Sequence, residues 1–113
     1  MKQLKGYTTK EKVEIYEAIA PLLEAMFTEF KEFSKRKPEG VVNKNKIKIV
    51  NRLLVKFKDV LQDEVAIKYL DLIDDDDVPQ NSDIVLMLSQ YNAAMEQYLE
   101  MYTDSITGAW KME

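Results

Sequence analysis

The side chains that could do chemistry in this chain are carboxylates, amines, guanidines, phenols and hydroxyls, because its 113 residues include no histidine and no cysteine. Without imidazole, the commonest general base near neutral pH and the commonest metal ligand are both missing. Without thiols there is no disulfide, zinc–thiolate site or cysteine nucleophile, and a Ser-His-Asp triad cannot be assembled. Carboxylate pairs at helical spacing, such as Glu14 with Glu17 and Glu96 with Glu100, are what general acid and base work would need, but acidic helices make such pairs by composition alone. The run Asp74-Asp75-Asp76-Asp77 invites a calcium loop, and its spacing fails. An EF-hand needs oxygen ligands at positions 1, 3 and 5 and Gly at 6, whereas a loop begun at Asp74 puts Val78 and Pro79 there. A weak loop-borne cation site is the alternative to a solvated acidic loop or an acidic docking patch for a basic partner. The expectation is therefore a chain that is not an enzyme, with no catalytic residue, cofactor or metal ligand.

Charge is the unusual feature. Residues 1–58 hold 14 Lys and Arg against 7 Asp and Glu, and residues 59–113 hold 2 against 13, so nets of +7 and −11 make up the overall −4. The basic excess concentrates in residues 31–58. Lys44, Lys48, Arg52 and Lys56 recur every four residues and would form one cationic ridge on a helix, where three repelling pairs cost roughly 1 kcal/mol in all. Glu96, Glu100 and Asp104 have the same spacing and could neutralise the ridge if their helix lay beside it. Otherwise the ridge points to an anionic partner: the acidic face of a protein, or the phosphate backbone of a nucleic acid engaged by residues 31–58. Against nucleic acid stand the pI near 5.0 and the lack of a zinc-finger, KH or RRM signature.

The elements that must position these groups are helical. With 46% apolar residues, three glycines and three prolines, the composition suits one helical core. Thr8 or Thr9 caps a first helix, with Thr8 and Glu11 fitting a capping box. Its apolar stripe runs through Val13, Tyr16, Ile19, Leu23, Met26, Phe27, Phe30 and Phe33, and Pro21 either kinks it or splits it at Ala20-Pro21. Lys35-Arg36-Lys37-Pro38-Glu39-Gly40 opens a loop to about Asn43. Asn43 or Asn45 caps a second helix with Ile47, Val50, Leu53, Leu54, Phe57, Val60 and Leu61 inward. Asp63 caps a shorter third helix carrying Val65, Ile67, Tyr69, Leu70, Leu72 and Ile73, with a simple continuation of the second helix as the alternative, and the aspartates and Val78-Pro79 stop it. Asn81 or Ser82 caps the last, whose stripe includes Met87, Tyr91, Met95, Tyr98, Leu99, Met101 and Tyr102 and reads as bundle interior rather than a ligand pocket.

The expected architecture is one all-α domain over residues 1–113, an antiparallel bundle of about four helices with residues 1–7 and 105–113 as loose ends. Trp110 in the tail is either a lid over one end of the bundle or a partner-binding anchor. The N-terminal residues lack the apolar core of a signal peptide, and no run of about 18 apolar residues occurs, which reads as cytoplasmic with no membrane partner. These features together suggest a charge-polarised protein-interaction module: a small inhibitor, an immunity or antitoxin-like protein, or an accessory subunit. Its partner-binding residues would come from Lys44, Lys48, Arg52, Lys56, Asp74, Asp75, Asp76, Asp77 and Trp110. Another protein is the expected partner, a nucleic-acid-binding regulator is the alternative, and a homodimer is left open.

Overall fold

A computed structural model describes residues 6–113. Helix α1 spans Lys10–Arg36, and at about 1.5 Å per residue it sets the long dimension of a molecule 44 × 28 × 20 Å in extent. Thr9 is its cap, accepting a hydrogen bond from the Lys12 N–H at 3.3 Å. The expected box from Thr8 to Glu11 is not formed, because Thr8 is buried and bonded to the Tyr98 hydroxyl. The helix crosses Pro21 without ending. Pro21 and Glu17 both lie on the exposed side, so the carbonyl deprived of its N–H partner belongs to the solvent face, while buried Ile19 and Leu23 hold the helix from the other side.

Helix α2 spans Lys44–Val60 and is capped by Asn43, whose side chain accepts from the Lys46 N–H at 2.9 Å. Helix α3 spans Asn81–Tyr102. Its cap is Gln80, one residue before the expected pair, in a reciprocal box with Asp83. The loop between α1 and α2 grips the start of α3: Val42 N–H donates to Pro79 O (2.9 Å), and Asn81 N–H to Gly40 O (2.8 Å). The Asn81 amide also donates to Lys37 O at 2.9 Å. A Cβ at Gly40 would stand 2.7 Å from Asn81 Nδ2 and push that amide off its carbonyl.

The all-α class holds, but the described residues form three α-helices, not four. Where the extra helix was expected, Val65–Tyr69 makes one 3₁₀ turn and the chain then runs extended from Leu70 to Asp74. This strap obtains its backbone hydrogen bonds from side chains instead of from a helical ladder. Asn51 of α2 accepts from Ile73 N–H (2.9 Å) and donates to Ile73 O (2.8 Å). Lys58 donates to Leu70 O, and Tyr91 of α3 to Asp71 O, each at 2.8 Å. With those groups satisfied, and Leu70 and Ile73 buried, helix formation would gain little. Val78 closes the aspartate turn in the left-handed region, φ 52°.

Helix α1 packs against both α2 and α3. Leu54, Phe57, Val60, Leu61, Tyr91 and Tyr98 are almost wholly buried at the centre, while Leu99 and Met101, placed inward by periodicity, are exposed. The tail turns back from Tyr102: Lys111 N–H donates to Tyr102 O, Thr8 N–H to Lys111 O, and Glu113 N–H to Thr8 O. Trp110 docks edge-on against Tyr16, ring centroids 5.1 Å apart, and near Tyr98 at 6.3 Å.

Candidate partner-binding face

Helix α2 is held along one side by α1 and along another by the strap, whose contacts come from Asn51 and Lys58. Its remaining surface carries Lys44, Lys48, Arg52 and Lys56, all exposed, as the four-residue spacing requires. The ion pairs found among the described residues are Lys12–Asp63 (2.8 Å) and Glu32–Lys35 (3.2 Å), and neither involves the ridge. Internal neutralisation by α3 does not occur. Helices α2 and α3 each pack chiefly on α1, which keeps the two stripes apart. Glu96 instead accepts from Asn92, and Asp104 accepts the N–H groups of Ile106 and Thr107, which hold its carboxyl below the usual carboxylate range. Lys35, Arg36 and Lys37 are also exposed, at the end of α1 that leads into α2.

Beside the ridge lies a feature that the sequence reading missed. A groove of about 400 Å³ between α1 and α2 is lined by Leu22, Met26, Phe33, Ile49 and Leu53, with Lys46 and Arg52 on its α2 edge and Glu29 on α1. Leu22 is 51% exposed and Ile49 48% exposed, so its rim is open apolar surface, while Met26, Phe33 and Leu53 are partly buried and join it to the core at Phe30 and Val50. Lys46 places its ammonium 4.6 Å from the centre of the Phe33 ring, a cation–π contact that keeps positive charge over the apolar floor. A signal for this groove existed. Leu22 and Ile49 are apolar residues one position off the core stripes, next to buried Leu23 and Val50, where a solvated helix would carry polar side chains.

The other candidates are not gathered at this face. Asp74 to Asp77 are all exposed, and carboxylate oxygens of the first three lie within 4.8 Å of one another. Asp74 spends one oxygen on the Asp76 N–H, as an ordinary turn cap. Trp110 belongs to the far aromatic end, half-buried on Tyr16 and Tyr98, in the place of a lid. Burial, with the negative charges of Glu24 and Glu96, pushes the Tyr16 phenol up to about 12, and burial with Asp71 does the same to Tyr91. Both phenols donate, to Met95 O and Asp71 O respectively. Glu14, Glu17, Glu96 and Glu100 are all exposed.

No known protein family, curated protein or solved structure matches this chain. Among the described residues, no helix is long and apolar enough to cross a membrane.

Proposed function

We propose that this chain is a non-enzymatic protein-interaction module whose partner docks on the α1–α2 face and presents acidic groups to it. The observation that supports this reading is the open apolar groove lying directly beside a cationic ridge that has no ion-pair partner among the described residues. Such an arrangement combines the two terms of protein recognition, apolar area for affinity and charge for steering and orientation. The ridge survives despite its self-repulsion, and a partner supplying carboxylates would relieve that repulsion on binding. The role that suits a small charge-polarised chain is that of an inhibitor, an immunity or antitoxin-like protein, or an accessory subunit of a larger complex.

The free ridge also favours a second reading, a nucleic-acid-binding regulator using residues 31–58. Phosphates would meet Lys44, Lys48, Arg52 and Lys56 well, but they have no use for Leu22, Ile49 and Leu53, so the protein partner takes precedence. The test is purification of the tagged chain from its source cells, with and without nuclease, beside the double variant Arg52→Glu, Lys56→Glu. A stoichiometric protein that resists nuclease and is lost with the double variant supports the first reading. Nucleic acid recovered alone, and released by salt, overturns it in favour of the second.

A further inference from the structure

We infer that the α1–α2 groove receives one amphipathic helix of a partner protein, laid along α1 with its carboxylates turned toward α2. This rests on the protein-interaction reading above and identifies what the partner brings. The groove is built on two helices, so its walls repeat at helical spacing. Leu22, Met26, Glu29 and Phe33 follow one another along α1, and Lys46, Ile49 and Leu53 along α2. From Leu22 to Phe33 the walls run roughly 16 Å, which is about three turns of helix. A helix with apolar residues at i, i+3 or i+4, and i+7 presents its stripe over that length, the recognition mode in which a groove between helices accepts another. Docking would add a fourth helix to a bundle that has three of its own.

Charge fixes the class of helix and its roll. Lys46 and Arg52 lie on the α2 edge, with the ridge continuing behind them through Lys48 and Lys56, and none of these cations has an ion-pair partner among the described residues. The α1 edge carries Glu29. Acidic side chains on the docked helix are therefore favoured on the side facing α2 and disfavoured on the side facing α1. A second copy of this chain could offer α3, which exposes Leu99 and Met101 near Glu96 and Glu100. That contact joins two different surfaces, and repeated it would grow open chains unless the rotation closed, so a separate partner is the occupant assigned here.

The test uses the full chain, isotope-labelled for amide spectra, and a synthetic helical peptide of roughly four turns with leucines at i, i+4, i+7 and i+11 and glutamates along one flank. Three further probes accompany it: the same peptide with lysines for glutamates, a scrambled glutamate peptide without the stripe, and a short DNA duplex. The expected result is saturable binding of the first peptide alone, with shifts centred on Leu22, Met26, Phe33, Ile49 and Leu53. Arg52→Glu should weaken that binding by about tenfold, the milder Arg52→Gln less, and Glu29→Lys should strengthen it. Both positions are exposed, so these variants are expected to fold, which their amide spectra report directly.

No saturable shift at the groove, or equal binding of the lysine peptide, overturns the inference. Equal binding of the scrambled glutamate peptide along Lys44 to Lys56 overturns the helix while leaving the acidic-partner reading standing. Saturation by duplex with no response to any peptide overturns both. Groove shifts that appear on concentrating the chain alone, together with a rise in sedimenting mass, replace the separate partner by a second copy.

Discussion

The end of the molecule where the tail meets α1 and the face formed by α1 and α2 are built on opposite terms. At the first, Tyr16 stacks on Tyr98 with centroids 5.8 Å apart, Trp110 closes over both, and Thr8 is bonded to Tyr98 and to the tail backbone. Among the described residues no buried side-chain nitrogen or oxygen lacks a partner. At the second, four cations have no ion-pair partner among the described residues, and an apolar groove with exposed Leu22 and Ile49 on its rim stands open beside them. A small domain has little stability to spare, so surface left unsatisfied in this way is where selection for binding, not for folding, is expected to have acted.

The contrast is broken most forcefully by titrating the tyrosines. Tyr16 and Tyr91 are raised from the usual 10.0 to about 12, chiefly by burial. Between those values the unfolded chain has released protons that the folded chain still holds, so stability falls as pH rises through that window and is intact below pH 10. Two units correspond to about 2–3 kcal/mol for each phenol, and the pair makes this the largest effect expected. Denaturant midpoints followed from pH 9 upward, together with phenolate absorbance, measure it. Ionisation of the Tyr16 ring itself at pH 10 in the still-folded chain, read from its own ring resonances because Tyr7 and Tyr69 are exposed, would show the aromatic end to be open after all.

Truncation separates the core from the groove. Phe57 is fully buried, and Phe57→Ala is expected to cost about 3–5 kcal/mol in denaturant unfolding. Ile49, on the same helix but half exposed on the groove wall, should lose no more than about 0.5 kcal/mol as Ile49→Ala. A large loss at Ile49 would mean that the groove belongs to the core and is not a docking surface.

The strap shows what a sequence reading reaches and where it stops. Three helix positions, the loop before Asn43 and the stop at the aspartates were legible because each is encoded by neighbours: 3.6-residue stripes, an N-cap, a Pro and Gly, a charge run. The extended path of Leu70 to Asp74 was not. Its backbone is satisfied by Asn51 from 22 residues away and by Tyr91 from 20, and no local pattern records such partners. The fate of Thr8 was hidden in the same way, since Tyr98 lies 90 positions on. Asn51→Ala removes both bonds to Ile73, and a loss of about 1–3 kcal/mol is expected. Increased amide exchange at Ile73, with α3 unaffected, would locate that loss in the strap.

The ridge itself gives the smallest effect and the most direct evidence of why it is there. Lys48 faces Lys44 and Arg52 at four-residue spacing, and none of the three has an ion-pair partner among the described residues. Lys48→Gln removes two repelling pairs while keeping nearly the same helix propensity, so the variant is expected to be more stable by about 0.5 kcal/mol. The gain should shrink as salt screens the repulsion. A loss of stability would instead reveal an intramolecular partner for Lys48 and return the ridge to the class of satisfied surface. If the gain is found, the cations are carried at a cost to the fold, and that cost is the physical signature of charge kept for a partner.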